Sequence, residues 1–243
     1  MEENIFNGFK KLAKEFKKLT GDIQKQIPNL QETLQQFVDN RDGPKYKIIN
    51  PVVYNTVLDE ININSDVKLI LVGDNPGRKE QETGRYLVGP SGKIAENFFK
   101  AEKSLHTDFR KNVVILNKTP VHTPRTADLK KINQSKNVVF DEVIKESQVK
   151  MARLLCGFCT LLNVPVWITG YSEMKKNGIF ETYTESLKKI LINESLNKTQ
   201  VFLFRHFSMN QFTIDLNKQK RENETTAKAL ERIGTGYRIK YLV

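Results

Sequence analysis

The strongest constraint on how this chain can fold is an alternation of short apolar runs with helix-length segments. Four runs stand out: residues 68–72 (KLILV), 113–116 (VVIL), 164–169 (VPVWIT) and 201–204 (VFLF). Runs that are apolar throughout, without polar residues at every second position, are strands buried on both faces. The segments between them carry helical periodicity over 93–103, 141–162 and 182–191, and a last helix is expected near 222–233. Strands joined by helices cannot fold back as hairpins and pair in parallel through crossovers. The expected fold is therefore α/β: a three-layer αβα sandwich around a central four-stranded, mainly parallel sheet, with an N-terminal helical extension.

The extension comes from a different pattern. Ile5, Phe6, Phe9, Leu12, Ala13, Phe16 and Leu19 recur at helical spacing with lysines between them, and Gly21 is expected to end the helix. A weaker helix over 30–39 follows, then the turn Asn40-Arg41-Asp42-Gly43-Pro44, which divides residues 1–43 from an α/β domain over 44–243. A lysine-rich amphipathic helix can lie on a membrane, but docking on its own domain is the expectation here. No apolar run approaches the roughly 18–20 residues that span a bilayer, and the first residues lack the apolar core of a signal peptide. Two cysteines in 243 residues cannot build a disulfide framework. A cytoplasmic protein that does not engage a membrane is expected, and a monomer, because no segment reads as an interface.

Charge narrows the partners. With 39 Lys+Arg against 28 Asp+Glu the formal charge is +11, which favours a polyanionic partner without specifying a fold. Between positions 110 and 139, seven bases (Arg110, Lys111, Lys118, Arg125, Lys130, Lys131 and Lys136) meet one acid, Asp128. Either this is a solvated face or it is an electrostatic footprint.

In open parallel sheets ligands bind beyond the carboxyl ends of the strands, so those ends are where chemistry is expected. The first strand runs into Gly73-Asp74-Asn75-Pro76-Gly77, the second into Asn117-Lys118-Thr119-Pro120-Val121-His122, the fourth into Arg205-His206-Phe207-Ser208-Met209. Singly, an Asp or Asn in a turn and one His are ordinary. A carboxylate, an amide and an imidazole at one sheet edge beside a basic surface suit a site that handles a nucleobase.

These residues resemble the uracil-DNA glycosylase superfamily. Gly73-Asp74-Asn75-Pro76-Gly77, followed by Gly84-Arg85-Tyr86-Leu87-Val88-Gly89-Pro90-Ser91-Gly92, is similar to its first motif and the glycine-bounded segment behind it. Val114-Ile115-Leu116-Asn117 is similar to its strand ending in a base-reading Asn, and His206-Phe207-Ser208 to its last motif, His-Pro-Ser. The resemblance covers about 68–210 and implies hydrolysis of the N-glycosidic bond of a uracil, or related damaged base, flipped out of DNA. It assigns water orientation and stabilisation of the sugar cation to Asp74 or Asn75, since branches of the superfamily place the key polar group at either position. His206 is assigned to the base carbonyl and Asn117 to the Watson–Crick edge. Ser91, Gly92 and Ser208 are expected at backbone phosphates, Lys118, Arg125 and Lys130 as non-specific charge on DNA, and Met209 or Phe207 as the wedge filling the vacated stack.

Two departures accompany the match. Leu87 stands where the family's stacking aromatic is expected, which weakens base stacking or moves it to Tyr86. Phe207 replaces the motif's Pro, which leaves open an altered protein that binds nucleic acid or a nucleotide without cleaving it. No cofactor or metal is expected: Cys156 and Cys159 cannot supply the four thiolates of the superfamily's iron–sulfur branches, and they read as core residues. Gly89-Pro90-Ser91-Gly92-Lys93 misses P-loop spacing, with Leu87 and Ile94 where Gly and Ser or Thr are required. His122 reads as a surface residue of the basic loop or a DNA contact.

Overall fold

The structure is a computed structural model that describes residues 1–134, 138–193 and 200–242. Four strands, β1 (Leu69–Gly73), β2 (Val113–Asn117), β3 (Val166–Thr169) and β4 (Val201–Phe204), form one sheet in the order β2-β1-β3-β4. Every neighbouring pair is parallel. The three-layer α/β arrangement with N-terminal helices read from the sequence is what the chain adopts. Helices are α1 (Glu3–Gln26), α2 (Leu30–Asn40), α3 (Val57–Glu60), α4 (Arg78–Thr83), α5 (Pro90–Ala101), α6 (Asp128–Gln134), α7 (Val138–Leu162), α8 (Glu181–Asn193), α9 (Gln211–Gln219) and α10 (Thr226–Tyr241).

Residues of β1 and β2 are buried throughout, as uninterrupted apolar runs demand. An aromatic cluster fills the layer over one face. Trp167 of β3 stacks on Phe99 and Phe212, while Phe98 meets Phe212 edge-on and Phe207 lies parallel to Phe212 at 4.3 Å between ring centroids. That packing anchors the loop after β4.

Helix α1 runs through Gly21 to Gln26 rather than ending at the glycine. A mid-helix Gly costs only about 1 kcal/mol relative to Ala, and the extra turn buries Ile23, worth roughly 1.5–3 kcal/mol. Its apolar stripe, Phe9, Ala13, Phe16, Leu19 and Ile23, belongs to the same hydrophobic cluster as the sheet, and Phe9 meets Phe158 of α7 edge-on at 5.2 Å. The amphipathic helix docks on its own chain. No helix among the described residues is long and apolar enough to cross a membrane.

Candidate active site

Parallel pairing places all four strand ends on one edge, and the register decides which residues meet there. Gly73 lies opposite Asn117, so the residues one step on, Asp74 and Lys118, are brought side by side. Thr169 lies opposite Phe204, two residues before His206. The edge opens onto a cavity of about 710 Å³ walled by the loop after β1, the start of α5, the loop after β2 and the loop after β4. That is within the usual range of ligand sites, roughly 300–1,000 Å³.

Asp74, Asn75, Asn117 and His206 all line this cavity. Asp74 is buried, and its Oδ1 accepts a hydrogen bond from Lys118 Nζ at 2.6 Å. Asn75 is differently occupied: its Nδ2 donates to Thr123 Oγ1 at 2.8 Å and to the Val121 carbonyl at 3.3 Å, tying the first loop to the second. Asn117 is 2% exposed, and among the described residues its amide makes no side-chain hydrogen bond. Gly73 leaves room for that amide, since a Cβ there would fall 2.5 Å from Asn117 Oδ1. Asn117 is not among the residues with fully buried, unsatisfied side-chain atoms, so its amide is open to the cavity it lines.

His206 has its tautomer set by the backbone. Nδ1 accepts the N–H of Ser208 at 3.0 Å, so in the neutral ring the proton is on Nε2. Burial pulls the imidazole pKa below its ordinary value, Asp74 opposes that pull, and the positive charge of Lys118 adds to it. The cavity therefore holds a carboxylate, an open amide and a neutral imidazole with one N–H to give.

Residues 60–158 match the family model of the Uracil DNA glycosylase superfamily. The matched stretch is similar to the domain of that superfamily. A comparison with curated proteins gives no match. The matched stretch runs from the end of α3 into α7 and contains Asp74, Asn75 and Asn117; His206 lies beyond it and joins the site through the fold. The match suggests a glycosylase-type function.

Several assigned side chains are not where the sequence suggested. Lys118 cannot touch DNA, because it is 0% exposed and inside an ion pair. Tyr86 cannot stack on a base: it is buried against Phe16, its hydroxyl donates to the Val53 carbonyl at 2.6 Å, and it does not line the cavity. Gly92 does not face phosphate either, for a Cβ there would sit 1.5 Å from the Leu87 carbonyl oxygen, so this glycine is needed for the approach of α5 to that loop. His122 is neither solvated nor available to DNA; it is fully buried, with Nδ1 donating to the Pro76 carbonyl at 2.8 Å and Nε2 accepting from Tyr46 Oη at 3.0 Å. Phe207 is buried in the aromatic cluster, which leaves Met209, 83% exposed beside the cavity residue Ser208, as the side chain free to probe a duplex.

Leu87, Ser91, Arg125 and Ser208 line the cavity. Arg125 is exposed at its mouth, whereas Lys130 is exposed away from it, donating to the Asn177 carbonyl at 2.5 Å. Lys136 lies outside the described residues. Glu80 is a cavity residue that the motifs did not reveal. It is buried and takes the Gly77 N–H at 2.5 Å, and the amides of Leu87 and Gly89 face its carboxylate, which places it between the first loop and the start of α5. Burial raises its carboxyl pKa and those amides oppose the rise. Glu80 caps the start of α4 through the Gly77 N–H, but Gly77 has no side chain to return the bond, so the Ser/Thr-x-x-Glu pattern that would have signalled it is absent from the sequence. Among the described residues no group of three or more His, Cys, Asp or Glu could hold a metal ion.

Proposed function

We propose that this protein is a cytoplasmic, monomeric DNA glycosylase that hydrolyses the N-glycosidic bond of uracil, or a related damaged base, flipped out of DNA. The observation that carries the reading is the convergence of Asp74, the unpartnered amide of Asn117 and the neutral imidazole of His206 on one cavity. As the bond breaks, the sugar gains positive charge and the leaving base negative charge. Asp74 faces the first and orients water. His206 gives its Nε2 hydrogen to the base carbonyl, and a donor that is neutral throughout needs no proton transfer to act. Asn117 offers one donor and one acceptor, the pattern that the pyrimidine edge complements. Ser91, Ser208 and Arg125 at the cavity wall suit backbone phosphates.

One observation favours a second reading, a domain that binds nucleic acid without cleaving it. No aromatic side chain lines the cavity among the described residues, and Leu87 stands in the place of a stacking ring. Incubating the purified protein with uracil-containing single strand and duplex, then treating with alkali, separates the two. Strand breaks that vanish in Asp74→Ala and diminish in Asn117→Ala support the glycosylase. Binding that weakens with salt and leaves the strands intact supports the binder and refutes the enzyme.

A further inference from the structure

Lys118 has no place in the chemistry above, yet it is the most completely enclosed charge beside it. Its Nζ donates to Asp74 Oδ1 at 2.6 Å, to the Thr169 carbonyl at 2.5 Å and, more weakly, to the Gly73 carbonyl at 3.4 Å, and it lies 4.9 Å from the centre of the Phe180 ring. Three oxygen acceptors and an aromatic face are a socket for an ammonium, since a neutral amine has only two hydrogens to give. Three strand ends build that socket: β1 supplies Gly73 and Asp74, β2 supplies Lys118, β3 supplies Thr169.

We propose that Lys118 is the positioning residue for Asp74: its ammonium holds Oδ1 in place and leaves Oδ2 turned to the cavity as the oxygen that meets water and sugar. The proposal rests on the glycosylase reading for its catalytic part. Asp74 Oδ2 accepts no hydrogen bond from the described residues, whereas Oδ1 is committed to the ammonium. Other titratable groups facing the pair are the neutral His206, from the loop after β4, and Glu173, from the turn after β3, which interacts with Lys118. Burial acts to discharge Lys118, and the Asp74 carboxylate beside it acts to keep it charged. Because Lys118 is fully enclosed, it has no path to a sugar carbon as a nucleophile or to a phosphate as a counter-charge.

The test combines kinetics with an activity-independent measurement. In Lys118→Met, single-turnover excision is expected to keep its KM and its salt dependence while its rate falls about tenfold, because nothing then holds Oδ1 in place. Lys118→Gln, which still donates to Oδ1 but carries no charge, should recover part of the rate. Separately, urea unfolding of Lys118→Met, Asp74→Asn and the double variant should show strong coupling, with Lys118→Met more destabilised alone than when combined with Asp74→Asn. If the wild type cleaves nothing, the glycosylase reading fails while the unfolding cycle still tests the pair. Additive unfolding energies, an unchanged excision rate in Lys118→Met, a changed salt slope, or borohydride trapping of the wild type on an abasic strand each overturn the proposal.

Discussion

His122 makes the fold's acid stability a probe of how the site is held. The neutral ring bridges two loops: Nδ1–H reaches the Pro76 carbonyl in the first motif, and Nε2 accepts from Tyr46 ahead of the sheet. A proton on Nε2 would oblige the Tyr46 hydroxyl to turn and accept, and would place a charge in a fully buried site. Burial accordingly pulls the pKa from 6.5 down to about 4, opposed only weakly by the Pro76 carbonyl, Glu82 and a second backbone contact at Gly77. A depressed folded-state pKa means that the unfolded chain binds the extra proton first. The stabilisation is complete above the unfolded pKa of 6.5 and is lost as pH falls towards 4. At 1.36 kcal/mol per pH unit, the difference between 6.5 and 4 amounts to at most about 3 kcal/mol. Urea unfolding at a series of pH values between 7 and 4.5, for wild type and His122→Asn, measures it. The Asn amide keeps a donor for Pro76 and removes the titration. We expect His122→Asn to be less stable at pH 7 and the gap to narrow by 2–3 kcal/mol, on the order given by that linkage, as pH falls. A gap that stays constant with pH would refute the reasoning, because carboxylates titrating below pH 5 contribute equally to both proteins.

His206 is expected to work as the neutral ring, so excision should hold steady from about pH 6.5 to 8.5 instead of declining with deprotonation, and His206→Ala should lower single-turnover rates roughly 10²–10³-fold; a rate that falls away above pH 7 would oppose this. Met209→Ala removes an exposed side chain at the rim and should reduce excision from duplex more than from single strand, measured as the ratio of the two rates. Arg125→Ala should weaken DNA binding across sequences and reduce the slope of log K against log salt by about 1, whereas a changed base preference with unchanged slope would mean that Arg125 reads bases.

What could be read from the sequence was what depends on period and composition. The four strands lie within two residues of the apolar runs, and parallel pairing followed from helix-length connections. Asp74, Asn117 and His206 were reachable because a parallel sheet gathers its carboxyl ends on one edge. The failures share one cause, the direction of a side chain, which composition does not encode. Lys118 counts as one more base in a basic stretch until the register puts Gly73 against Asn117, after which the next residue on each strand must be its neighbour's partner. Tyr86 and His122 were misjudged likewise, since each is buried only because a backbone carbonyl far off in sequence, Val53 and Pro76 respectively, accepts its polar hydrogen. Helix α1 passed Gly21 because tertiary burial of Ile23 outweighs a local propensity.

The first motif presents two adjacent polar residues, and the structure separates their roles by how far their hydrogen bonds are already used. Asn75 spends both amide hydrogens within the protein, on Thr123 and Val121, so it can offer a ligand only its oxygen. Such an oxygen can accept from water but brings no charge to a forming sugar cation. Asp74 has one oxygen held and one open, beside the donor-bearing imidazole of His206. Two adjacent residues of a turn thus serve different ends: Asn75 fastens the loop after β1 to the loop after β2, and Asp74 carries the charge that this fastening keeps in register with Asn117. The loop is tied twice to the loop after β2, by the Asn75 amide on Thr123 and Val121 and by the His122 ring on the Pro76 carbonyl, and its own end is closed by the Glu80 carboxylate on the Gly77 N–H. Holding a short turn at three points keeps the carboxylate at its start within a fraction of an ångström of one geometry, where a single tether would let it swing.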